Sequence, residues 1–220
     1  MNSNIAKIID HTILKADARE ADIRKLCEEA IEYKFCSCCV NGKFIKLVAE
    51  LLKGSSVKVC TVVGFPLGAM STEAKAFETA RAVQDGADEI DMVISIADIK
   101  DGKDDDVYKD IRAVVESASG KVVKVILETC LLTDDEIVRA CKLSEKAGAD
   151  FVKTSTGFSI AGAKAEHVRL MKDSVSDRVK VKASGGIRNL NDAKSMIEAG
   201  ADRLGCSAGV LIVNEELSGN

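Results

Sequence analysis

GADEIDMVI (86–94), GADFVKTS (148–155) and GADRLGCS (200–207) are three copies of one pattern. Each copy follows an amphipathic stretch and leads into an apolar segment. The glycine stands where a helix C-terminus favours a left-handed residue, and the segment after it has the character of a β-strand. The copies begin at residues 86, 148 and 200, so neighbouring copies lie about two βα units apart. This repeated joint predicts a parallel sheet whose strands are connected by helices.

Eight segments of the chain have the length and apolar character of strands. Several are nearly continuous apolar runs, as expected where helices cover both faces of a parallel sheet. The predicted strands are Asp10–Leu14, Phe35–Val40, Val57–Val63, Glu89–Ile94, Val122–Glu128, Phe151–Thr154, Val179–Ala183 and Arg203–Cys206. Because these segments alternate with helical stretches, the sequence predicts an α/β fold, a (βα)8 TIM barrel, with an open doubly wound sheet as the alternative.

Two of the intervening helices are marked clearly in the sequence. Thr133-Asp134-Asp135-Glu136 is a capping box that opens a helix, and Gly148 closes it. A second helix is predicted from Thr72 to Gln84, with Ala74 and Phe77 among the apolar residues at helical spacing. No linker rich in Pro, Gly or Ser divides the chain, so residues 1–220 are expected to form a single catalytic barrel domain.

The composition is that of an ordinary soluble globular protein. Of the 220 residues, 46% are hydrophobic and 30% are charged, and the net charge is −4. A negative balance argues against a nucleic-acid or membrane partner, because either one favours a basic surface. No apolar run approaches the roughly 20 residues that span a bilayer, and the N-terminus does not resemble a signal peptide. We therefore expect a cytoplasmic protein, and a small anionic substrate remains compatible with this composition.

The cysteines are expected to be small buried hydrophobic residues. The chain contains eight of them, but it is long and rich in aliphatic residues, so a disulfide framework is not needed. The spacing of a structural metal site is missing, and the only histidines are His11 and His167. We therefore predict no metal site, which disfavours chemistry in which zinc stabilises a negatively charged intermediate.

Three charged residues stand in otherwise apolar strands, where an unpaired charge is rarely buried. They are Asp91 in EIDMVI, Lys153 in DFVKTSTG and Lys182 in VKVKASGG. The two lysines are one βα unit apart, so they are expected on neighbouring strands at similar heights, with Asp91 facing them across the interior. Lys180 alternates with Lys182 on the same strand face, so the sequence alone leaves open which of the two enters the barrel.

A pair of lysines beside an aspartate has a plausible chemical role. Partial burial and a second nearby cation both favour the neutral form of an amine. A neutral amine can attack an aldehyde to form an imine, and the imine allows the adjacent carbon to become an enamine nucleophile. A carboxylate coupled to the second lysine can move protons. The residues therefore indicate aldol chemistry, with purely structural ion pairing as the alternative reading.

Loops that contain glycine follow each of the last three predicted strands. Ser184-Gly185-Gly186 follows the seventh strand, and the segment 205–209 (GCSAG) follows the eighth. In TIM barrels, the loops after strands seven and eight often bind phosphate through backbone amides and helix N-termini. Thr154-Ser155-Thr156-Gly157 adds hydroxyl groups beside Lys153. These loops predict a phosphate site, although a lone Gly-Gly pair is equally compatible with a tight turn.

Read together, these segments resemble the 2-deoxyribose-5-phosphate aldolase family, which comprises class I (Schiff-base) aldolases. The matching segments span nearly the whole chain in order, and DFVKTSTG and KASGGIR are the most specific of them. The others are IDHTILK (9–15), VKVCTVVGFPLG (57–68), GADEIDMVI (86–94), VKVILETCLLT (123–133) and GCSAGV (205–210). The resemblance implies reversible cleavage of 2-deoxy-D-ribose 5-phosphate to acetaldehyde and D-glyceraldehyde 3-phosphate, without a cofactor and in a possible homodimer.

The resemblance also implies roles for individual residues. Lys153 would form the Schiff base, Lys182 would favour its neutral form and assist proton transfer, and Asp91 would act in the proton relay. Asp10 and Thr12 would contact the sugar. The expected phosphate contacts are Thr156, Gly157, Gly185, Gly186, Gly205 and Ser207.

Three positions depart from the family pattern, and two other functions stay open. Gly42 stands where proline is expected, Cys206 replaces a smaller or hydroxylated residue, and position 158 is Phe. The last change suggests that the site relies on amides and hydroxyls more than on a lysine side chain to hold the phosphate. One alternative is a transaldolase-like Schiff-base barrel with a different sugar phosphate. The other is an inactive barrel that only binds sugar phosphates.

Overall fold

The strands form a closed parallel barrel in a computed structural model that describes residues 5–219. Its strands follow chain order around the barrel, and the last strand pairs with the first. They are β1 (Ile9–Ile13), β2 (Ser37–Val40), β3 (Lys58–Val63), β4 (Glu89–Val93), β5 (Val122–Ile126), β6 (Phe151–Lys153), β7 (Lys180–Ser184) and β8 (Arg203–Cys206). All eight predicted strands are present, so the (βα)8 barrel is confirmed over the open sheet.

Helices surround this barrel. Within residues 5–219 they are α1 (Glu20–Tyr33), α2 (Ile45–Leu51), α3 (Thr72–Gln84), α4 (Ile96–Lys100), α5 (Asp104–Ser117), α6 (Asp134–Ala147), α7 (Ala165–Ser174), α8 (Leu190–Glu198) and α9 (Gly209–Ser218). The predicted capping box at the start of α6 is present, and Gly148 ends that helix in the left-handed conformation. Among the described residues, no helix has both the length and the hydrophobicity needed to cross a bilayer.

The repeated Gly-Ala-Asp joints tie each helix end to the preceding strand. Gly86, the first of the three glycines, has φ +111°, and the glycines at 148 and 200 are also in the left-handed region. Asp88 accepts a hydrogen bond from the Val59 amide through its carboxylate, and its own amide donates to the Val59 carbonyl. The aspartates at 150 and 202 do the same to residues 123 and 181. The repeat is therefore a connector that fixes where each following strand begins.

Side chains along the strands alternate between the helix layer and the barrel interior. On β4, Ile90 is completely buried in the apolar cluster between barrel and helices, whereas Glu89 and Asp91 bind charged groups on other strands. Most TIM barrels fill their interior with branched aliphatic side chains. Here the apolar core lies outside the barrel, and ionic side chains occupy much of the inside.

The apolar residues that stand at helical spacing in α3 are not all buried. Phe77 was expected among its apolar positions, but it is 75% exposed, and Ala74 is exposed as well. The buried residues of α3 are Lys75, Thr79 and Ala82. Lys75 can be buried because its ammonium group lies 2.6 Å from Asp110 on α5 and donates to a strand carbonyl.

The cysteines behave largely as predicted. All eight are free thiols, and six of them are buried. Cys36 and Cys130 are partly exposed. Cys39 and Cys60 stand opposite each other in the register of β2 and β3, which the sequence did not reveal.

Candidate active site

A cavity of about 1010 Å³ opens at the carboxyl ends of the strands. This is the face where TIM barrels carry their sites, because the βα loops meet there. Lys153, the last residue of β6, lines the cavity, and its side chain is 4% exposed. It is therefore the interior lysine that a small molecule in the cavity can reach.

Asp91 brings the two predicted lysines together. Its Oδ2 atom accepts hydrogen bonds from Lys153 Nζ at 2.7 Å and from Lys182 Nζ at 2.8 Å. The two lysines are also direct partners in the register of β6 and β7. Lys182 is completely buried, whereas Lys180 is exposed at the start of β7. The structure thus resolves which lysine of β7 enters the barrel.

Lys124 is a third interior lysine, which the sequence reading missed. It lies directly opposite Asp91 in the register of β4 and β5, and its Nζ atom is 2.8 Å from Asp91 Oδ1. It also lies 2.6 Å from Glu89 Oε2. Lys124 is a charged residue within the apolar run VKVIL, and Lys182 was identified by the same kind of position. It could therefore have been found from the sequence.

The ionic groups beneath the cavity hold one another in their charged forms. Burial alone would raise the pKa of Asp91, but three neighbouring ammonium groups outweigh it and keep that pKa well below its ordinary value. Burial would lower the pKa of Lys124, yet Asp91 and other acidic groups raise it well above its ordinary value. The pKa of Lys182 is raised in the same way by Asp10 and Asp91. Lys182 is therefore a firmly protonated neighbour of Lys153.

Asp10 and Thr12, which were expected to contact the sugar, occupy different places. Thr12 lines the cavity. Asp10 is completely buried outside the cavity lining, with Oδ2 2.5 Å from Lys182 Nζ and Oδ1 2.7 Å from Arg203 Nη1. Although burial opposes it, the attraction of Lys182 lowers the pKa of Asp10. This position does not support a sugar contact by Asp10, which instead holds Lys182 from below.

The residues predicted to bind phosphate all lie at the cavity. The structure brings together three loops there, whose lining residues include Thr156, Gly157, Gly185, Gly186, Gly205 and Ser207. Gly185 has φ +85°, and a Cβ atom at this position would lie 3.0 Å from Gly162 Cα in the preceding loop. Gly185 therefore allows the loops after β6 and β7 to pack closely against each other at the cavity, and α9 begins two residues after Ser207.

Glu128 is a second residue that the sequence reading missed. It follows β5 in the left-handed conformation, with φ +57°, and it is almost completely buried. Its carboxylate accepts hydrogen bonds from both the hydroxyl and the amide of Thr156. Thr156 Oγ1 in turn accepts from the Phe158 amide. Glu128 therefore fixes the first turn of the loop after Lys153, and only the fold could reveal this pairing.

Comparison with known proteins assigns the family. A protein-family model described as DeoC/LacD family aldolase matches residues 4–215. The chain belongs to the DeoC/LacD aldolase family. The deoxyribose-phosphate aldolase of Geobacillus sp. (strain WCH70) is 61% identical over 214 residues, which are 97% of this chain and 96% of that relative. The corresponding protein of Finegoldia magna is 62% identical over 207 residues, 94% of this chain and 97% of the relative.

A solved structure of the same family superimposes closely on this aldolase. The deoxyribose phosphate aldolase from Aeropyrum pernix has a TM-score of 0.91 and 35% sequence identity, with 98% of this chain and 92% of that chain covered. That protein is described as a tetramer. The likeness covers the complete barrel, and it confirms the family that the sequence motifs indicated.

Two residues of this aldolase that depart from the family pattern lie at the cavity wall. Phe158 is 53% exposed and makes an edge-to-face contact with Phe65, with ring centroids 5.3 Å apart. Burial raises the pKa of the Cys206 thiol to about 12, so this side chain carries no charge near neutral pH. Neither residue places a negative charge where the substrate's anionic group is expected.

Proposed function

We propose that this protein reversibly cleaves 2-deoxy-D-ribose 5-phosphate to acetaldehyde and D-glyceraldehyde 3-phosphate through a Schiff base on Lys153. The observation that carries the proposal is the shared oxygen of Asp91. It binds Lys153, which reaches the cavity, and Lys182, which stays protonated beneath it. Relatives about 60% identical over nearly the whole chain are named deoxyribose-phosphate aldolases, which supports this substrate.

The first step forms the imine. The neutral amine of Lys153 adds to the C1 aldehyde of the open-chain sugar phosphate, and the carbonyl oxygen takes up a proton. The resulting carbinolamine loses water to give a protonated imine. Asp91 carries protons between the two lysines because one carboxylate oxygen contacts both ammonium groups. Through Asp91, Lys182 provides the proton that the leaving hydroxyl group requires and regains it when the imine is hydrolysed.

The second step breaks the bond between C2 and C3. The C3 hydroxyl gives up its proton, C3 leaves as the aldehyde of glyceraldehyde 3-phosphate, and the bonding electron pair moves through C2 to the iminium nitrogen. The product on Lys153 is an enamine. Protonation at C2 followed by addition of water releases acetaldehyde and restores the amine. Synthesis follows the same steps in reverse.

The phosphate end of the substrate fixes its orientation. We place the phosphate at the loops after β6, β7 and β8, which line the cavity with Gly157, Gly186 and Ser207. Helix α9 adds the positive potential of its N-terminus. Because Lys153 lines the same cavity as these loops, the phosphate end and the aldehyde end of one substrate can occupy it together. Thr12, which lines the same cavity on β1 beside β8, is the residue that we propose to contact the sugar hydroxyls.

We expect the protein to work without a cofactor, on small aldehydes and sugar phosphates, as a single-domain enzyme in the cytoplasm. We propose a homodimer, and sedimentation equilibrium would distinguish it from a tetramer like that of the Aeropyrum pernix relative.

Borohydride trapping tests the Schiff base directly. The protein is incubated with acetaldehyde, reduced with borohydride, digested and mapped by mass spectrometry. We expect one two-carbon group on Lys153 and none on Lys180, the exposed lysine of the neighbouring strand. The Lys153→Met variant should take up no such group in the cavity. A label on Lys182 with Lys153 unmodified would contradict the assignment.

The donor specificity separates this function from the nearest alternative. A deoxyribose-phosphate aldolase joins acetaldehyde to glyceraldehyde 3-phosphate, whereas a transaldolase-like barrel transfers a larger ketose-derived unit. The wild-type protein should therefore consume both aldehydes in a coupled assay. Trapping at Lys153 without this condensation would favour the transaldolase-like or inactive alternatives.

A further inference from the structure

Six charged side chains form a closed ring beneath Lys153. In order, the ring contacts are Asp91 to Lys182 (2.8 Å), Lys182 to Asp10 (2.5 Å), Asp10 to Arg203 (2.7 Å), Arg203 to Glu89 (3.3 Å), Glu89 to Lys124 (2.6 Å) and Lys124 to Asp91 (2.8 Å). Acidic and basic groups alternate throughout. Four members are completely buried, and the side chain of Arg203 is 13% exposed. We call this set the charge ring.

The charge ring is balanced by itself, and Lys153 is the surplus cation. Three carboxylates face three cationic groups within the ring, and Lys153 adds a fourth positive charge through Asp91 Oδ2. An unbalanced charge in a buried cluster is costly because water cannot screen it. Loss of the Lys153 proton therefore brings the whole cluster to neutrality. Loss of a proton from a ring member would break an alternating ion pair.

We propose that Arg203 and Glu89 are positioning residues that act through the charge ring to set the pH at which Lys153 loses its proton and becomes the nucleophile. Neither residue lines the cavity. Arg203 contributes a positive charge to the cluster, and Glu89 contributes a negative charge. Removing the positive charge of Arg203 leaves the cluster neutral while Lys153 is still protonated. Lys153 should therefore lose its proton only at a higher pH. Removing the negative charge of Glu89 should lower the pH at which Lys153 loses its proton.

Other titratable groups also face the barrel interior, and none of them is replaced in the charge variants described below. Burial raises the pKa of the Cys60 thiol, which contacts Asp91 Oδ1. A hydrogen bond with Cys60 lowers the pKa of Cys39. The ionisable groups around Lys153 from the packed strands and their ends are Asp10, Cys39, Cys60, Glu89, Asp91, Lys124, Glu128, Lys182 and Arg203. Because the test changes only Arg203 and Glu89, the remaining groups are matched between variants.

The proposal is tested with charge variants of the complete protein. They are Arg203→Met, Glu89→Gln, the double variant and Arg203→Lys. Lys194→Met removes the same unit charge from the exposed surface of α8 and serves as a matched control. After Arg203→Met, Asp10 keeps Lys182 and Glu89 keeps Lys124, so no carboxylate loses every partner. The first readout is the pH dependence of kcat/KM for deoxyribose 5-phosphate cleavage, which reports the free enzyme.

We expect the acidic midpoint of the profile to rise by about one pH unit in Arg203→Met and to fall by a similar amount in Glu89→Gln. The double variant should return close to the wild-type midpoint, because its cluster again carries one surplus cation. Arg203→Lys and Lys194→Met should match the wild type. A loss of rigidity alone would lower the rate without moving the midpoints in opposite directions. An unshifted midpoint in folded Arg203→Met, or shifts of the same sign in both single variants, would overturn the proposal.

A second readout separates this inference from the proposed function, on which it rests. Reductive methylation of Lys153 by formaldehyde and cyanoborohydride, mapped by mass spectrometry over a pH series, follows the free amine without any sugar phosphate. If the wild type fails to cleave deoxyribose 5-phosphate, the proposed function is wrong, but the labelling midpoints still test the charge ring. If Arg203→Met does not fold, the Glu89→Gln midpoint decides: no downward shift would refute the proposal.

Discussion

Gly205 leaves room for the side chain of Lys182 because glycine has no Cβ atom. A Cβ atom at Gly205 would lie 2.9 Å from Lys182 Cε and 3.0 Å from Ser184 Cβ. The φ angle of Gly205 is outside the left-handed region, so the constraint is space rather than backbone conformation. The sequence assigned Gly205 to phosphate binding, and the residue does line the cavity. Its closer contact is with the protonated lysine beside Asp91.

We predict that Gly205→Ala lowers kcat for deoxyribose 5-phosphate cleavage by roughly 10- to 100-fold, since a displacement of about 1 Å at a catalytic group has effects of this size. Lys182 would have to move away from Asp91 to accommodate the methyl group. Steady-state kinetics and circular dichroism provide the measurement. Gly42→Ala is the matched control, because a Cβ atom there meets nothing within 4 Å. Equal kcat values for both variants would show that Lys182 tolerates the displacement.

The central residues of the site could be predicted from the sequence because charge in a buried strand is conspicuous. Asp91, Lys153 and Lys182 were found in this way, and the structure brings them together. The position of Asp10 was not predictable, because it depends on how the first and last strands of the barrel pair. The link between Glu128 and Thr156 likewise depends on two loops that meet only in the folded chain.

At the scale of single elements, α3 is anchored by a buried ion pair rather than by an apolar stripe. Lys75 Nζ lies 2.6 Å from Asp110 Oδ2 and donates to the carbonyl of Val93. Thr72 donates to the other oxygen of Asp110. Helical periodicity predicted the limits of α3 correctly, but the apolar residues at helical spacing included Phe77, which is exposed. Periodicity treats lysine as a surface residue and cannot foresee a buried partner on α5.

We predict that Lys75→Met lowers the free energy of unfolding by about 3–5 kcal/mol, the usual result of leaving a buried charge without its partner. The carboxylate of Asp110 would retain only hydrogen-bond donors. Urea denaturation followed by circular dichroism measures the change. On the same helix, Phe77→Ser should alter stability by no more than about 0.5 kcal/mol, because that ring is 75% exposed. A fully stable Lys75→Met variant would mean that the ion pair does not anchor α3.

At the scale of the whole molecule, the buried charges tie folding to pH. The pKa values of Asp10 and Asp91 are lowered, mainly because neighbouring ammonium groups overcome the effect of burial. Carboxylates with lowered pKa values stabilise the fold above the unfolded pKa, and this contribution is lost as the pH falls. The pKa values of Lys124 and Lys182 are raised, so their contribution persists up to the ordinary lysine range near 10.4 and is lost only above it.

We therefore predict a plateau of stability from about pH 5 to pH 9, with a progressive loss of stability as the pH drops below about 4. Urea midpoints measured over this range provide the test. Asp91→Asn should fall less steeply in acid, whatever its stability at neutral pH, because asparagine does not titrate. Asp173→Asn, at an exposed position on α7, should follow the wild-type curve. Identical acid slopes for all three proteins would assign the acid sensitivity to other groups.

The overall architecture was largely predictable because the chain repeats a local device. Each Gly-Ala-Asp joint marks a helix end and a strand start, and the structure adds the carboxylate-to-amide bond that fixes the next strand. The closure of the barrel was inferred from the count of eight strands. The ionic filling of its interior was not, because strand register decides which side chains meet inside.

The alternating ring inside the barrel also constrains how this enzyme can change by mutation. Replacing any one of its six members removes one of the two counterions of each neighbour, so single steps toward an aliphatic interior pass through less stable intermediates. Paired replacements of adjacent opposite members avoid that barrier. Random libraries of single substitutions should therefore diversify the loops around the opening while leaving the barrel floor unchanged. New chemistry in this scaffold would arise at the rim first.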